Sequence, residues 1–232
     1  MSRLTYTLPG HGFGANLHHR ANAIAYCEKT GECCYEHTPM NRVAHGQNSE
    51  SLEEFSGFKS TCTEDQISTL PVRPSEQGGV WSVHENPEAF YTKNTRSKLR
   101  EMYESTAKPE PHKCDHAIHV RRGDVNAKRY PDRWVDDNQY LETITKIKER
   151  DPTGSVCVFS QGKKADFKEY EDAGATLHLN TPLDETFHSF VHAPHLIVGK
   201  SSLSWIAGAL NENKVSSFSS SYLAPLPGWE KI

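Results

Sequence analysis

The chain has 232 residues, of which 35% are apolar and 24% are charged, and its mean hydropathy is −0.70. It is long enough to bury the core of one large or two small domains. The formal net charge of −4 argues against a general nucleic-acid-binding protein. No run of about 18 apolar residues predicts a transmembrane helix. The first ten residues, MSRLTYTLPG, lack the apolar segment of a signal peptide. We therefore expect a soluble, cytoplasmic protein.

The N-terminal half alternates short regular segments with irregular ones. A short run, LTYTL, leads into PGHGFG, and residues 15–29 are predicted to form a helix with Leu17, Ala21, Ile24 and Ala25 facing inward. ECCYE is the next predicted strand. Residues 41–80 are rich in Ser, Glu and Gly and show no period, so we predict long loops there.

A helix is predicted around residues 86–104, followed by the proline-broken linker AKPEPHK at 107–113. We place the domain boundary in this linker, which divides the chain into residues 1–112 and 113–232.

The C-terminal half shows a clearer pattern of strands and helices. Short apolar runs predict five strands, at 116–120, 156–160, 176–180, 195–199 and 214–218. Helical patterns lie between them, at 137–150, 164–175, 184–193 and 201–213. Regular alternation of strand and helix is typical of a parallel sheet covered by helices, which is a Rossmann-like half.

Cysteine and histidine patterns do not indicate a metal site. The six cysteines show no CxxC spacing, and the thirteen histidines show no HExxH motif. We expect free thiols in a reducing compartment and no structural zinc.

Three segments carry candidate chemistry at the ends of predicted strands. Glycines 10, 12 and 14 of GHGFGANLHH precede a helix and allow a ligand to approach the backbone closely. In HVRRGDV, Arg121 and Arg122 supply forked donors that suit phosphate oxygens. HVRRGDV could simply be a solvated turn that binds no ligand and contains an Arg–Asp ion pair. Adjacent arginines at the end of a strand repel each other, however, and therefore favour an anionic partner. In GKSSLSWIAGAL, Ser201 and Ser202 can cap a helix, contact a phosphate, or do both.

Taken in order, four segments resemble the fucosyltransferase superfamily, which includes α-1,6, bacterial α-1,2 and protein O-fucosyltransferases. GHGFGANLHH is similar to a Gly-aromatic-Gly…Leu-His-His segment of the α-1,6 enzymes. HVRRGD matches the family's HxRRxD motif, FSQG stands where α-1,2 members have FSDD, and SSLSWIAGA resembles SSFSWWGA. The resemblance covers most of residues 8–30 and 114–215.

The resemblance implies a GT-B architecture, with two Rossmann-like halves facing a cleft. Residues 1–112 would form the acceptor side, and residues 113–232 would bind the nucleotide sugar. It also implies an inverting glycosyltransferase without a catalytic metal or other cofactor, which moves fucose from GDP-fucose to a glycan or glycoprotein hydroxyl.

The resemblance also assigns roles to individual residues. Arg121 would bind the β-phosphate and assist the departing diphosphate, His119 would contact the nucleotide, and Arg122 and Asp124 would organise the loop. The remaining donor-binding candidates follow from the same motifs: Gly12, Phe13, Gly14, Ser160, Gln161, Ser201 and Ser202.

Two departures from the family pattern leave details open. The place where α-1,6 enzymes have an assigned base falls in NAKRY, which has no carboxylate, so Asp124, or alternatively Asp132 or Asp136, becomes the candidate base. Gln161 replaces an acidic residue and can pair with uracil as readily as with guanine. A UDP-linked sugar such as UDP-xylose therefore remains an alternative donor. The sequence shows no Golgi membrane anchor, so we expect an enzyme of the bacterial or viral type.

Two alternatives from other classes remain. One is a non-catalytic module that binds nucleotide sugars or glycans. The other is a different phosphate-handling enzyme, which is disfavoured because the chain has no GxxxxGK[ST] loop. The aromatic side chains of Trp81, Tyr91 and Trp134 could stack on sugar rings, or could simply be core.

Overall fold

The computed structural model describes residues 1–6, 11–40, 43, 48–74, 79–219 and 223–232. The chain forms two compact units, Met1–Lys108 and Pro109–Ile232. Both units are α/β and each contains a parallel sheet, of three strands in the first and six in the second. Within these ranges no helix combines the length and the apolar character needed to cross a membrane.

The first unit is built on a parallel sheet of order β2-β1-β3. Its strands are β1 (Ser2–Thr5), β2 (Cys33–Glu36) and β3 (Val72–Pro74), and all pairs are parallel. Its helices are α1 (Phe13–Thr30), α2 (Ser49–Ser56), α3 (Glu64–Thr69), α4 (Trp81–Glu85), α5 (Pro87–Phe90) and α6 (Lys93–Glu104). The predicted first helix is confirmed as α1, which buries Leu17, Ala21, Ile24 and Ala25. It ends at Gly31, whose left-handed backbone lets its N–H bond to the Cys27 carbonyl.

The prediction of long loops over residues 41–80 is wrong where α2, α3 and β3 lie, and residues 41–42, 44–47 and 75–78 are outside the described ranges. These elements are set by caps rather than by apolar periodicity. Asn48 accepts bonds from two backbone N–H groups of α2, and Thr63 and Gln66 form a reciprocal capping box on α3. Helix α3 has no buried residue, so a search for apolar repeats cannot find it.

The helix predicted around 86–104 is divided into α5 and α6. Tyr91 has a non-helical backbone, and Thr92 caps α6 by accepting a bond from the Thr95 N–H. The side chain of Thr92 therefore starts a new helix instead of continuing the old one.

The expectation of free thiols is wrong, because all six cysteines form disulfides. The pairs are Cys27–Cys33, Cys34–Cys62 and Cys114–Cys157. Neighbouring side chains of a strand point to opposite faces, so Cys33 and Cys34 of β2 meet different partners. Cys33 meets the last turn of α1, and Cys34 meets the segment before α3.

The second unit has the predicted alternation of strands and helices. The five predicted strands are confirmed as β4 (His116–His119), β5 (Val156–Ser160), β6 (Thr176–Leu179), β7 (His195–Val198) and β8 (Lys214–Ser217). The pattern missed β9 (Glu230–Lys231), which has only two residues, both exposed. The helices are α7 (Asp137–Arg150), α8 (Lys168–Asp172), α9 (Leu183–His192) and α10 (Ser202–Leu210), with 3-10 turns at Pro131–Arg133 and Lys164–Phe167.

The strand order in this sheet is β6-β5-β4-β7-β8-β9, and every pair is parallel. The chain moves outward in one direction from β4 and in the other from β7, which is the order of a doubly wound Rossmann sheet. On one face, α7 buries Tyr140, Ile144 and Ile147 against the strands. The order places the carboxyl ends of β4 and β7 side by side, and the loops that follow them are therefore neighbours.

Candidate functional site in the second unit

The loops after β4, β5 and β7 meet at the carboxyl edge of the sheet. Arg121 follows β4, and its Nη1 donates to Ser201 Oγ, after β7, over 3.1 Å. Ser160, at the end of β5, donates its hydroxyl hydrogen to the Val120 carbonyl over 2.6 Å. In an open parallel sheet, ligands bind at this edge, where the strand order reverses. The structure thus brings together Arg121, Ser201 and Ser160 from three separate sequence segments.

Helix α10 begins at this edge and is capped by Ser201. The Ser201 hydroxyl accepts a bond from the Leu203 N–H over 3.3 Å while it also accepts the bond from Arg121. Ser202 is the first residue of the helix and is half-buried. The first N–H groups of a helix and its dipole both favour an anion. The capping interpretation of Ser201 is therefore confirmed, and it leaves the helix terminus beside the Arg121 guanidinium.

Gly199 allows the β4 and β7 loops to approach each other. A Cβ atom at this position would lie 2.5 Å from the His119 carbonyl oxygen, which is too close for any side chain. We did not single out this glycine in the sequence, although it directly follows the apolar run of β7.

Arg121 is held by Asp124 as well as by Ser201. Its Nη2 donates to Asp124 Oδ2 over 2.9 Å, across a turn in which Gly123 has a φ of 86°. A Cβ atom on Gly123 would lie 2.8 Å from Gln161 Oε1, so the β4 loop packs against Gln161 of the β5 loop. The Arg121 side chain is 20% exposed and can still meet a ligand.

Arg122 does not join Arg121 at this edge. Its guanidinium lies 3.6 Å from the centre of the Trp134 ring. It donates to the carbonyls of Arg121 and Val135 over 2.9 and 3.0 Å, and it pairs with Asp137 over 2.7 Å. Of the two guanidinium groups expected to face an anion, that of Arg122 is therefore occupied by partners within the protein. Arg122 ties the β4 loop to the start of α7.

Asp137 and Tyr170 complete this anchor of the loop. The Tyr170 hydroxyl donates to the Asp137 carboxylate that also receives Arg122. Burial, together with this bond to a carboxylate, raises the pKa of Tyr170 above its ordinary value. We did not predict the roles of Asp137 and Tyr170. The acidic and aromatic character of PDRWVDD was the available signal for the loop's attachment.

His119 is a buried, neutral imidazole beneath the loop. Its ring packs against Phe190 of α9 with a centroid separation of 5.3 Å. Burial, reinforced by the nearby charge of Arg121, lowers the pKa of His119 to about 3. Among the described residues, its Nδ1 atom has no hydrogen-bond partner.

The other candidate carboxylates differ in their attachments. Asp136 accepts a bond from the Trp134 indole over 2.8 Å, and Asp132 lies exposed in a 3-10 turn. Trp134 has Arg122 on its ring and so is partly occupied by the loop.

The glycine-rich segment belongs to the first unit. Gly12 precedes α1, and its carbonyl accepts bonds from the N–H groups of Ala15 and Asn16. Phe13 is buried against Phe55, and Gly14 is buried in the first turn of α1. Gly10 lies outside the described residues. The Phe13 ring is therefore a core side chain of this unit.

Trp81 and Tyr91 also lie in the first unit. Trp81 is 62% exposed, whereas Tyr91 is buried and donates to Asn22 Oδ1 over 2.7 Å. Only Trp81 of the two presents a surface that could stack on a sugar ring.

One group of potential metal ligands is found in the described part of the chain, formed by Cys114, Cys157 and His178. Its two sulfur atoms are joined in a disulfide, so they are not thiolate ligands.

No protein-family model matches the chain, and no curated protein matches it. Solved structures resemble it at low sequence identity. The E. coli heptosyltransferase WaaC with ADP has a TM-score of 0.45 at 9% identity, covering 100% of this chain and 92% of that one. The α-1,6-fucosyltransferase NodZ co-crystallised with GDP has a TM-score of 0.43 at 11% identity, covering 95% and 96%. NodZ from Bradyrhizobium has a TM-score of 0.42 at 13% identity, covering 91% and 94%. Because these scores are low, we base the proposed function on the geometry of the site.

Proposed function

We propose that the chain is a glycosyltransferase that takes a sugar from a nucleotide diphosphate sugar and transfers it to a glycan hydroxyl. The observation that carries this proposal is the bond from Arg121 to Ser201 across the carboxyl ends of β4 and β7. It places a forked cation, a helix N-terminus and serine hydroxyls at the edge where doubly wound sheets bind nucleotides. The ordered motifs described under Sequence analysis support the same function.

The proposed chemistry requires positive charge at the leaving group. When the bond between the sugar carbon and the diphosphate oxygen breaks, its electron pair leaves with the nucleoside diphosphate. The oxygen of the acceptor hydroxyl forms the new bond to that carbon, and its proton passes to solvent. Arg121 is positioned to donate hydrogen bonds to that developing charge. A preorganised donor of this kind contributes about 3–4 kcal/mol to the transition state, which is about 10²–10³ in rate.

Asp124 is better suited to positioning Arg121 than to acting as a base. Its Oδ2 accepts from the guanidinium over 2.9 Å. Taking up a proton from an acceptor hydroxyl would weaken that ion pair at the moment when Arg121 is needed. We therefore propose that Asp124 orients Arg121.

We propose an inverting, metal-independent reaction in a GT-B-like protein, with fucose from GDP-fucose as the leading donor. A UDP-sugar such as UDP-xylose is the alternative, because Gln161 of the β5 loop is exposed and its amide can both donate to and accept from a base. We further propose an oxidising compartment, because three disulfides are typical of proteins folded outside the reducing cytosol.

Donor hydrolysis and binding test this function. The purified chain, in buffer with EDTA, is incubated with a panel of nucleotide sugars, and release of free sugar and nucleoside diphosphate is measured. Slow release from GDP-fucose, with thermal stabilisation by GDP and not by UDP, supports the leading donor, and the reverse pattern supports a UDP-sugar. Stabilisation without any release, even with glycan acceptors present, supports a binding module instead. If the chain shows no stabilisation by any nucleotide and releases no sugar, the proposal is contradicted.

A further inference from the structure

The arginines of the candidate site carry little net charge, because each has an acidic partner. Arg121 pairs with Asp124 over 2.9 Å, and Arg122 pairs with Asp137 over 2.7 Å. These pairs cancel most of the positive charge that the sequence HVRRGD suggests. A nucleoside diphosphate leaving group carries at least two negative charges near neutral pH and needs more compensation than two neutralised pairs provide.

Lys200 is the remaining cation in the two loops at the strand-order reversal, residues 119–124 and 199–202. It lies directly between Gly199, which contacts the β4 loop closely, and Ser201, which receives Arg121. Lys200 is only 8% exposed. Within the ranges that the structure describes, its ammonium group has neither an ion-pair nor a hydrogen-bond partner.

The buried part of Lys200 is its aliphatic stem, and the ammonium group keeps some contact with solvent, as in other long basic side chains. Because no acidic side chain pairs with this ammonium group, its positive charge is available to a ligand. Lys200 directly precedes Ser201, which caps α10 and receives the bond from Arg121, and the guanidinium, the hydroxyl and the helix terminus all suit phosphate oxygens.

We propose that Lys200 is the cation that binds the diphosphate of the donor together with Arg121, and that it supplies the net positive charge of this site. The inference rests on the proposed function for the identity of the ligand, and extends it by naming a further binding residue. Lys200 contributes a compact positive charge, whereas Arg121 contributes a planar guanidinium whose N–H donors point in fixed directions.

Two measurements on Lys200→Met test this inference, because a ligand-binding role predicts different effects on them. The first is the melting temperature without ligand, which we expect to stay within about 4 °C of the wild type, since the variant keeps most of the apolar stem and the charge that it removes has no partner in the fold. The second is the affinity for inorganic pyrophosphate and GDP by titration calorimetry in EDTA, which we expect to weaken by about tenfold or more.

Two control variants separate charge from position. Lys146→Met removes one charge from an exposed position on α7 and should leave both measurements unchanged. Lys200→Arg keeps the charge and should retain more of the affinity for pyrophosphate than Lys200→Met. Unchanged pyrophosphate and GDP affinity in Lys200→Met would overturn the inference, as would a wild-type chain that binds neither ligand.

The outcomes also distinguish this inference from the proposed function. If the wild-type chain binds pyrophosphate through Lys200 but releases or transfers sugar from no donor, the proposed function fails and the binding role stands. If sugar transfer proceeds and Lys200→Met binds GDP as tightly as the wild type, the proposed function stands and the role of Lys200 fails.

Discussion

Replacing Arg121 with lysine should nearly abolish sugar transfer and leave the fold intact. The guanidinium spans two partners at once, Ser201 Oγ at 3.1 Å and Asp124 Oδ2 at 2.9 Å, through different nitrogen atoms. A lysine has one nitrogen and cannot hold both while it also meets a phosphate. The charge is preserved in this variant, so the experiment tests the directed geometry.

The expected magnitudes differ strongly for catalysis and stability. Loss of a preorganised donor to a developing charge costs about 3–4 kcal/mol, so kcat/KM should fall by about 10²–10³. The ion pair with Asp124 is partly exposed, and such pairs contribute about 0–1 kcal/mol to folding. The melting temperature should therefore change by no more than about 4 °C.

The assay is the initial rate of nucleoside diphosphate release from the donor identified in the panel, with the acceptor present. Thermal unfolding is recorded on the same preparations. Arg150→Lys, at an exposed position on α7, is the matched control and should keep wild-type activity. Retention of more than half the wild-type kcat/KM in Arg121→Lys would refute the role assigned to the guanidinium.

Three further predictions concern the supports of the site. Arg122→Ala removes the contacts with Trp134, Val135 and Asp137, and should lower the free energy of unfolding by about 3 kcal/mol, which thermal unfolding would show as a decrease of about 6–12 °C. An unchanged melting temperature would contradict its anchoring role. Replacing Cys114 and Cys157 together by alanine opens a cross-link between residues 43 apart and should cost about 4 kcal/mol in urea unfolding, whereas alkylatable thiols in the native wild-type chain would show that the disulfide is not formed. Burial lowers the pKa of His119 from 6.5 to about 3, so between these pH values His119 is protonated in the unfolded chain and neutral in the folded one. Its contribution to the free energy of unfolding is therefore complete above pH 6.5 and is lost as the pH falls towards 3. Urea titrations of His119→Gln should show a shallower loss of stability over this range, and an identical pH profile would count against the buried neutral imidazole.

Much of the second unit follows from local sequence patterns. Its apolar runs are short and β-branched, and α7 repeats Tyr140, Ile144 and Ile147 on one face, so strands and helices can be located from periodicity alone. In the first unit, α2 and α3 depend on caps at Asn48 and Thr63, and a search for apolar repeats misses them. Disulfide pairing likewise escaped prediction, because spacing along the chain does not report which sulfur atoms are close in space.

The positions of the charged and hydroxyl-bearing groups, after predicted strands at residues 121–124, 160–161 and 200–202, can be read from the amino-acid order. Which of these groups come together depends on the fold. The strand order places β4 beside β7, so Arg121 reaches Ser201 from 80 residues away. The two adjacent arginines then separate, one towards the helix terminus and one towards Trp134 and Asp137. The physical reason is that a motif specifies charges in order along the chain, whereas the pairing of each charge depends on strand order and on acidic partners brought in by folding.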